Sequence, residues 1–233
     1  MKVAICMCGK PQGIKLTYPL LQENIMKDRE VDFFLHAWVD SDDSAEFLKD
    51  TYSPVSYKFE DIGIQKEWNS KYNIEEMQNS KKTMPGVAPI SVFGQLYTTS
   101  QSIILKKQYE EKSGTKYDWV FRMRFDTAIE ERVPLEDLDS QKCWFSPHGP
   151  RGMPRDFFWY SNSANLDKFI NIFDKLPQYY YNEHISICGE EMFFHHVRKE
   201  EIPISTLLLR NGLYRPPGHH QGSDMIVHFP PIL

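Results

Sequence analysis

Short apolar runs closed by turn-forming residues open this chain. Lys2 to Cys8 is such a run, ending in Gly9-Lys10-Pro11-Gln12-Gly13, and reads as a buried strand entering a loop. Leu16 to Met26 carries apolar positions at helical spacing. Val31 to Trp38 reads as a second buried strand before an acidic loop at Asp40–Ser44, Ala45 to Tyr52 as a helix, and Val55 to Phe59 as a third strand. Strand and helix in alternation predict a parallel, right-handed α/β unit. Residues 63–88 are polar and predict a surface loop. Ile90 to Lys112 is the strongest helix, stopped by Gly114. Tyr117 to Phe125 predicts a strand ending at Asp126; Cys143–Ser146 and Phe157–Ser161 predict two more. Asn162–Leu176, capped near Ser163, and Gly189–Lys199 predict helices, and the tail from Asn211 reads as loop. No repeat or linker interrupts the pattern, so one domain over residues 1–233 is expected.

Composition narrows the function. Of 233 residues, 41% are hydrophobic and 25% charged, within the ordinary globular range. The net charge of −5 supplies no global basic field, so nucleic acid is not an expected partner. Aromatic clusters at Tyr179-Tyr180-Tyr181 and Phe157-Phe158-Trp159-Tyr160 suit a filled core, or stacking on a base or sugar ring. Cys6, Cys8, Cys143 and Cys188 form neither a zinc pattern nor a disulfide scaffold, which predicts reduced thiols in a reducing compartment. The start, Met1-Lys2-Val3-Ala4-Ile5, turns polar too soon for a signal peptide, and no apolar run reaches membrane-spanning length. A cytoplasmic location without a transmembrane segment is the expectation.

The sharpest chemical signal is Phe121-Arg122-Met123-Arg124-Phe125-Asp126-Thr127. Side chains alternate along a strand, so Arg122, Arg124 and Asp126 are expected on one face. Buried strands reject unpaired charge, and open α/β sheets bind ligands beyond their strands' carboxyl ends. Two guanidiniums and a carboxylate there suit a diphosphate, with or without a divalent cation, or else a structural ion network. His195-His196 is a poor chelate because adjacent helical residues do not face each other. His219, His220 and His228 in the tail read as plain loop, or as a cover over a bound ligand. Phosphate-loop, dinucleotide-binding and nucleophile-elbow patterns do not occur.

Three segments carry a resemblance. ICMCGKPQ is similar to the "ICxSGQPR" opening of a group of viral and bacterial glycosyltransferase-like proteins; VDFFLHAW resembles their "VDVFIHTW", and FRMRFDT their "RxRxD". The YDWV strand running into Asp126 also looks like the strand that leads to the DxD motif of GT-A glycosyltransferases, with Arg124 standing where the first Asp is usual. The resemblance implies a GT-A-like (Rossmann-like) α/β fold, a central mixed β-sheet flanked by helices. It implies hexosyl or pentosyl transfer from a UDP- or GDP-sugar to a glycan or other hydroxyl acceptor. Cys8, Gly9, Lys10, Pro11 and His36 would lie beside the donor, Arg122 and Arg124 on its diphosphate, and Asp126 on Mn²⁺ or Mg²⁺ or on ribose-phosphate. The arginines are the alternative to the metal as leaving-group stabiliser. GT-A enzymes often carry an acidic element at the start of a late helix, which implies Glu190 or Glu191 as base or acceptor anchor, with Asp156 as a rival. The competing readings are a binding module that has lost activity and a nucleotidyltransferase on a related fold.

Overall fold

The computed structural model describes residues 1–80, 82–146, 153–215 and 225–228. Strand β1 (Lys2–Gly9) shows how the apolar runs are used. Val3, Ile5 and Met7 point to one face and Ala4, Cys6 and Cys8 to the other, and all six are buried. Such a strand must be covered on both sides, which is why its sequence runs apolar without alternation.

The chain continues through α1 (Ile14–Leu21), a π-helical turn (Gln22–Met26), β2 (Glu30–Trp38), α2 (Asp42–Tyr52) and β3 (Ser56–Glu60). Next come α3 (Gln65–Tyr72), α4 (Ile74–Gln78), the 25-residue α5 (Pro89–Ser113), β4 (Trp119–Arg124) and β5 (Thr127–Ile129). After these follow β6 (Cys143–Phe145), β7 (Phe158–Ser161), α6 (Ser163–Asp167), α7 (Ile172–Tyr181), α8 (Gly189–Lys199), β8 (Ile204–Thr206), β9 (Asn211–Arg215) and β10 (Met225–His228).

Seven strands form the main sheet in the order β3-β2-β1-β4-β7-β6-β8. The first four are parallel, β7 runs antiparallel between β4 and β6, and β6 pairs parallel with β8. A mixed central sheet flanked by helices is the α/β architecture that the sequence implies. Helices α1 and α2 pack on the Val3 face, with Phe33, Leu35, Phe121 and Met123. On the Cys6 face lie α3 to α8, with Phe34, Val120 and Trp159. A second sheet, β10-β9-β5, is antiparallel.

Several sequence expectations need correction. Residues 63–88 hold α3 and α4 rather than a plain loop, because Trp68, Ile74 and Met77 are buried against α5. Three large apolar residues among many polar ones anchor them where local hydropathy averages low. The expected single helix over 162–176 is α6, a 3-10 turn at Lys168–Asn171 and α7, which runs on to Tyr181; its cap lies where expected, near Ser163, with the Asn162 side chain accepting from the Asn165 N–H at 2.9 Å. The tail from Asn211 carries β9 and β10. Helix α5 ends as expected at Gly114, which takes the left-handed φ of 72° that terminates helices.

The carboxyl half of α5 also carries buried charge. Lys106, 0% exposed, donates to Glu110 Oε2 at 2.9 Å, to Asp167 Oδ1 at 2.6 Å and to the Ser163 hydroxyl. Glu110 accepts in addition from Ser163 Oγ at 2.8 Å and from the Tyr117 N–H at 3.3 Å. The four cysteines are free and buried. Burial pushes the thiol of Cys6 far up, so it does not ionise near neutrality.

Candidate functional site

Side-chain alternation brings Cys8 (β1), His36 and Trp38 (β2), and Arg122 and Arg124 (β4) onto the α5 face of the sheet. The register seats Cys8 between His36 and Arg124. A cleft of about 660 Å³ opens where these strands end beneath the amino half of α5. It is bounded by Cys8, Gly9, Lys10 and Gln12 from the first loop, by Arg122 and Arg124, and by Trp38. Ser91, Gly94 and Thr98 supply the α5 wall, with Gln95 beside them. Their three- and four-residue spacing lines one side of a helix with small groups, which leaves the space. Ile62, Gln65 and Gly86 close the far side, so the segment expected as loop also builds the wall. Gly9, at φ 103°, turns the chain out of β1 in a conformation that L side chains rarely adopt.

Arg122 is 0% exposed. Its Nε donates to Thr99 Oγ1 at 2.9 Å and its Nη1 to the carbonyl of Asp156. The guanidinium lies 5.4 Å from the ring centre of Trp159 and 5.1 Å from that of Phe193. Nη2 has no hydrogen-bond partner in the structure. Burial therefore pulls the Arg122 pKa below its ordinary value. Arg124 is held above its own despite burial, because the Asp126 carboxylate stands beside it.

Asp126 is not on the strand. β4 ends at Arg124, and Asp126, 1% exposed, sits in the turn to β5 outside the cleft lining. Its Oδ1 accepts from Arg124 Nε at 2.9 Å and its Oδ2 from Arg124 Nη2 at 2.6 Å and Gln12 Nε2 at 3.0 Å. The expected trio is thus brought together, but the carboxylate serves to hold Arg124 and the loop residue Gln12. This arrangement does not suit a divalent ion at Asp126, since a metal would displace the guanidinium and then lie against it. Among the described residues no group of three or more His, Cys, Asp or Glu is placed to hold a metal.

The other expected residues divide. Cys8, Gly9 and Lys10 line the cleft; Pro11 does not, and Gln12 takes its place. His36 is 0% exposed and sits behind the wall, where its Nε2 meets Glu60 Oε2 at 2.6 Å. Burial lowers the His36 pKa, and the same bond holds Glu60 down at about 2. Neutral imidazole donating to carboxylate is a structural pair, which removes His36 from the cleft contacts.

Glu190 and Asp156 lie close enough for their charges to interact. The Asp156 carboxylate accepts from Gln95 Nε2 at 2.9 Å and lies so close to Gly189 that a Cβ there would collide with it. Burial first, and then the Asp156 charge, raise Glu190 above its ordinary value, and Arg155 partly offsets this. Gln95, on the cleft wall, separates this pair from the cavity. Glu191, next along α8, is partly buried and is not a cleft residue. His196 is 0% exposed, accepting from Tyr179 Oη at 2.8 Å and donating to the Lys168 carbonyl at 3.0 Å. His195 pairs with Glu183 at 2.7 Å. His219 and His220 lie outside the described residues, and of His228 only the backbone of β10 is described. Gln65, Gln95, Ser91, Gly94 and Trp38 were not foreseen as site residues; the small-residue spacing on α5 was the signal available.

No helix among the described residues is long and apolar enough to cross a membrane. No curated protein matches the chain. Among solved structures it is similar to mouse Xyloside xylosyltransferase 1, apo form, over 89% of this chain and 85% of that one, at 9% identity and a TM-score of 0.47. Residues 1–152 match the family described as Domain of unknown function (DUF7796), and the chain therefore belongs to that family.

Proposed function

We propose that this chain is a glycosyltransferase that takes a sugar from a UDP- or GDP-sugar and passes it to a hydroxyl acceptor such as a glycan. One observation carries the reading: Lys10, Arg122 and Arg124 converge on a cleft at the strand ends, and no carboxylate among the described residues lines it. A cationic, carboxylate-free wall suits a diphosphate. As the bond to the anomeric carbon breaks, negative charge gathers on the departing diphosphate. Guanidiniums fixed beforehand stabilise that charge without reorganising. The cleft volume of about 660 Å³ is of the size that small-molecule sites use. Glu190, with its raised pKa and Asp156 beside it, is the candidate to take the acceptor's proton.

The test is a thermal-shift titration with UDP- and GDP-sugars, followed by turnover with glycan acceptors. Stabilisation by at least one donor is expected, and Glu190→Gln should lower turnover by about 100-fold or more while donor affinity holds. If no nucleotide sugar or nucleoside diphosphate stabilises the protein, the reading fails. A second reading, a binding module without turnover, draws on the separation of the Asp156–Glu190 pair from the cleft by Gln95. Tight donor binding with neither transfer nor donor hydrolysis would select it.

A further inference from the structure

We infer that this cleft holds the phosphate charge of its ligand with the protein's own cations, Lys10, Arg122 and Arg124, and takes no divalent ion through Asp126. The inference rests on the functional reading above and concerns how its donor is gripped.

Three observations carry it. First, Arg122 is fully buried at the cleft wall, yet its direct polar contacts are the neutral Thr99 hydroxyl and the Asp156 carbonyl, and Nη2 has no partner. At 0% exposure Arg122 meets the ligand through its field across the wall rather than by contact, and an anion in the cleft offsets the cost of burying a guanidinium that has no carboxylate hydrogen-bonded to it. Second, both oxygens of Asp126 are engaged by Arg124, with Gln12 on one of them, and the residue is 1% exposed. Mg²⁺ sheds water reluctantly and keeps several waters when bound, which a sealed carboxylate does not permit. Third, the site is already cationic: Lys10, Arg122 and Arg124 stand against Asp126, which is bonded to Arg124, and Asp156, whose charge acts on both arginines without lining the cleft, so positive charge is left over for an anion. A divalent ion would put two more beside three cations.

Asp126 thereby becomes a positioning residue. Its fork-to-fork contact fixes the Arg124 guanidinium at the rim, and through Gln12 it ties the loop that carries Lys10 to the same point.

Calorimetric titration of the whole chain with inorganic pyrophosphate, once in EDTA and once with an equivalent of MnCl₂, decides the matter. Binding in EDTA within about threefold of that in Mn²⁺ is expected, together with a steep loss of affinity as salt rises. Arg124→Gln and Lys10→Gln, both at partly or fully exposed positions, should each weaken binding in EDTA by about tenfold. Arg122→Gln should weaken it at least as much, provided its circular dichroism spectrum matches the parent's. Asp126→Asn should weaken binding by up to about tenfold, and by the same factor in EDTA as in Mn²⁺, because it loosens Arg124 and the Lys10 loop without removing a metal ligand. Binding that requires Mn²⁺ and disappears in Asp126→Asn overturns the inference and leaves the glycosyltransferase reading standing. If neither pyrophosphate nor UDP nor GDP binds in either condition, both fall together.

Discussion

The two halves of α5 cover buried positive charge in opposite ways. Toward its carboxyl end, Lys106 is surrounded by two carboxylates and a hydroxyl, and Glu110 is itself completed by Ser163 and a backbone N–H. Toward its amino end, Arg122 is equally buried but touches neutral acceptors and aromatic faces, with one nitrogen left over. Taking either ion out of water is expensive. The difference lies in whether the protein supplies the whole partner set. A closed set indicates architecture; a set left open beside a cavity indicates recognition.

Lys106→Met should cost the most, about 3–5 kcal/mol in urea denaturation, because Glu110 and Asp167 lose their cation while remaining in place. Pyrophosphate affinity should not follow, and equal loss of both properties would break the contrast between the two ends. His196 gives the next effect. Its pKa is lowered to about 4, chiefly by burial, so the unfolded chain takes up the proton first as pH falls. Its stabilising contribution is complete above the ordinary histidine range and drains away toward pH 4, on the order of 3 kcal/mol. A pH series of urea melts checks this, and His196→Gln should flatten that segment of the curve. Arg122→Gln comes third, with about a tenfold loss of pyrophosphate affinity and a smaller stability change than Lys106→Met. A larger stability change than that of Lys106→Met would move Arg122 into the architectural class.

The smallest effect belongs to Glu190. Its folded pKa is raised, so its contribution is fully present below the ordinary glutamate value and is lost as pH rises through the folded one. Glu190→Gln should therefore raise Tm at pH 7 and leave it unchanged near pH 4. No gain at pH 7 would mean that Arg155 already compensates the charge.

The parallel strands, α5 and α8 were legible because burial on both faces, helical spacing and a terminal glycine leave marks within a few residues. Helices α3 and α4 were not, because their stability comes from Trp68, Ile74 and Met77 meeting α5, a contact between distant parts of the chain. The same limit governed the site. Arg122, Arg124 and Lys10 stood out as charges where an apolar strand or a tight loop needs a reason for them. Asp126 stood out too, but whether it faces a metal or Arg124 depends on the turn after β4, which alternation along a strand does not describe. Gln65 and Gln95 carry no local signal, since an amide on a helix looks the same on a wall as in water.

Every described residue of the cleft wall falls between Cys8 and Arg124, within the matched family segment. Their braces come later. The carbonyl that receives Arg122 belongs to Asp156, and Tyr214 bonds to the Asp126 carbonyl at 2.8 Å and covers Gly13, where a Cβ would lie 2.5 Å from its ring. A chain emerging from the ribosome thus carries all these walls before it can fasten them. The cleft is shaped only after the segments that follow its wall residues have folded, and a chain cut before Asp156 has the residues of the site without its braces.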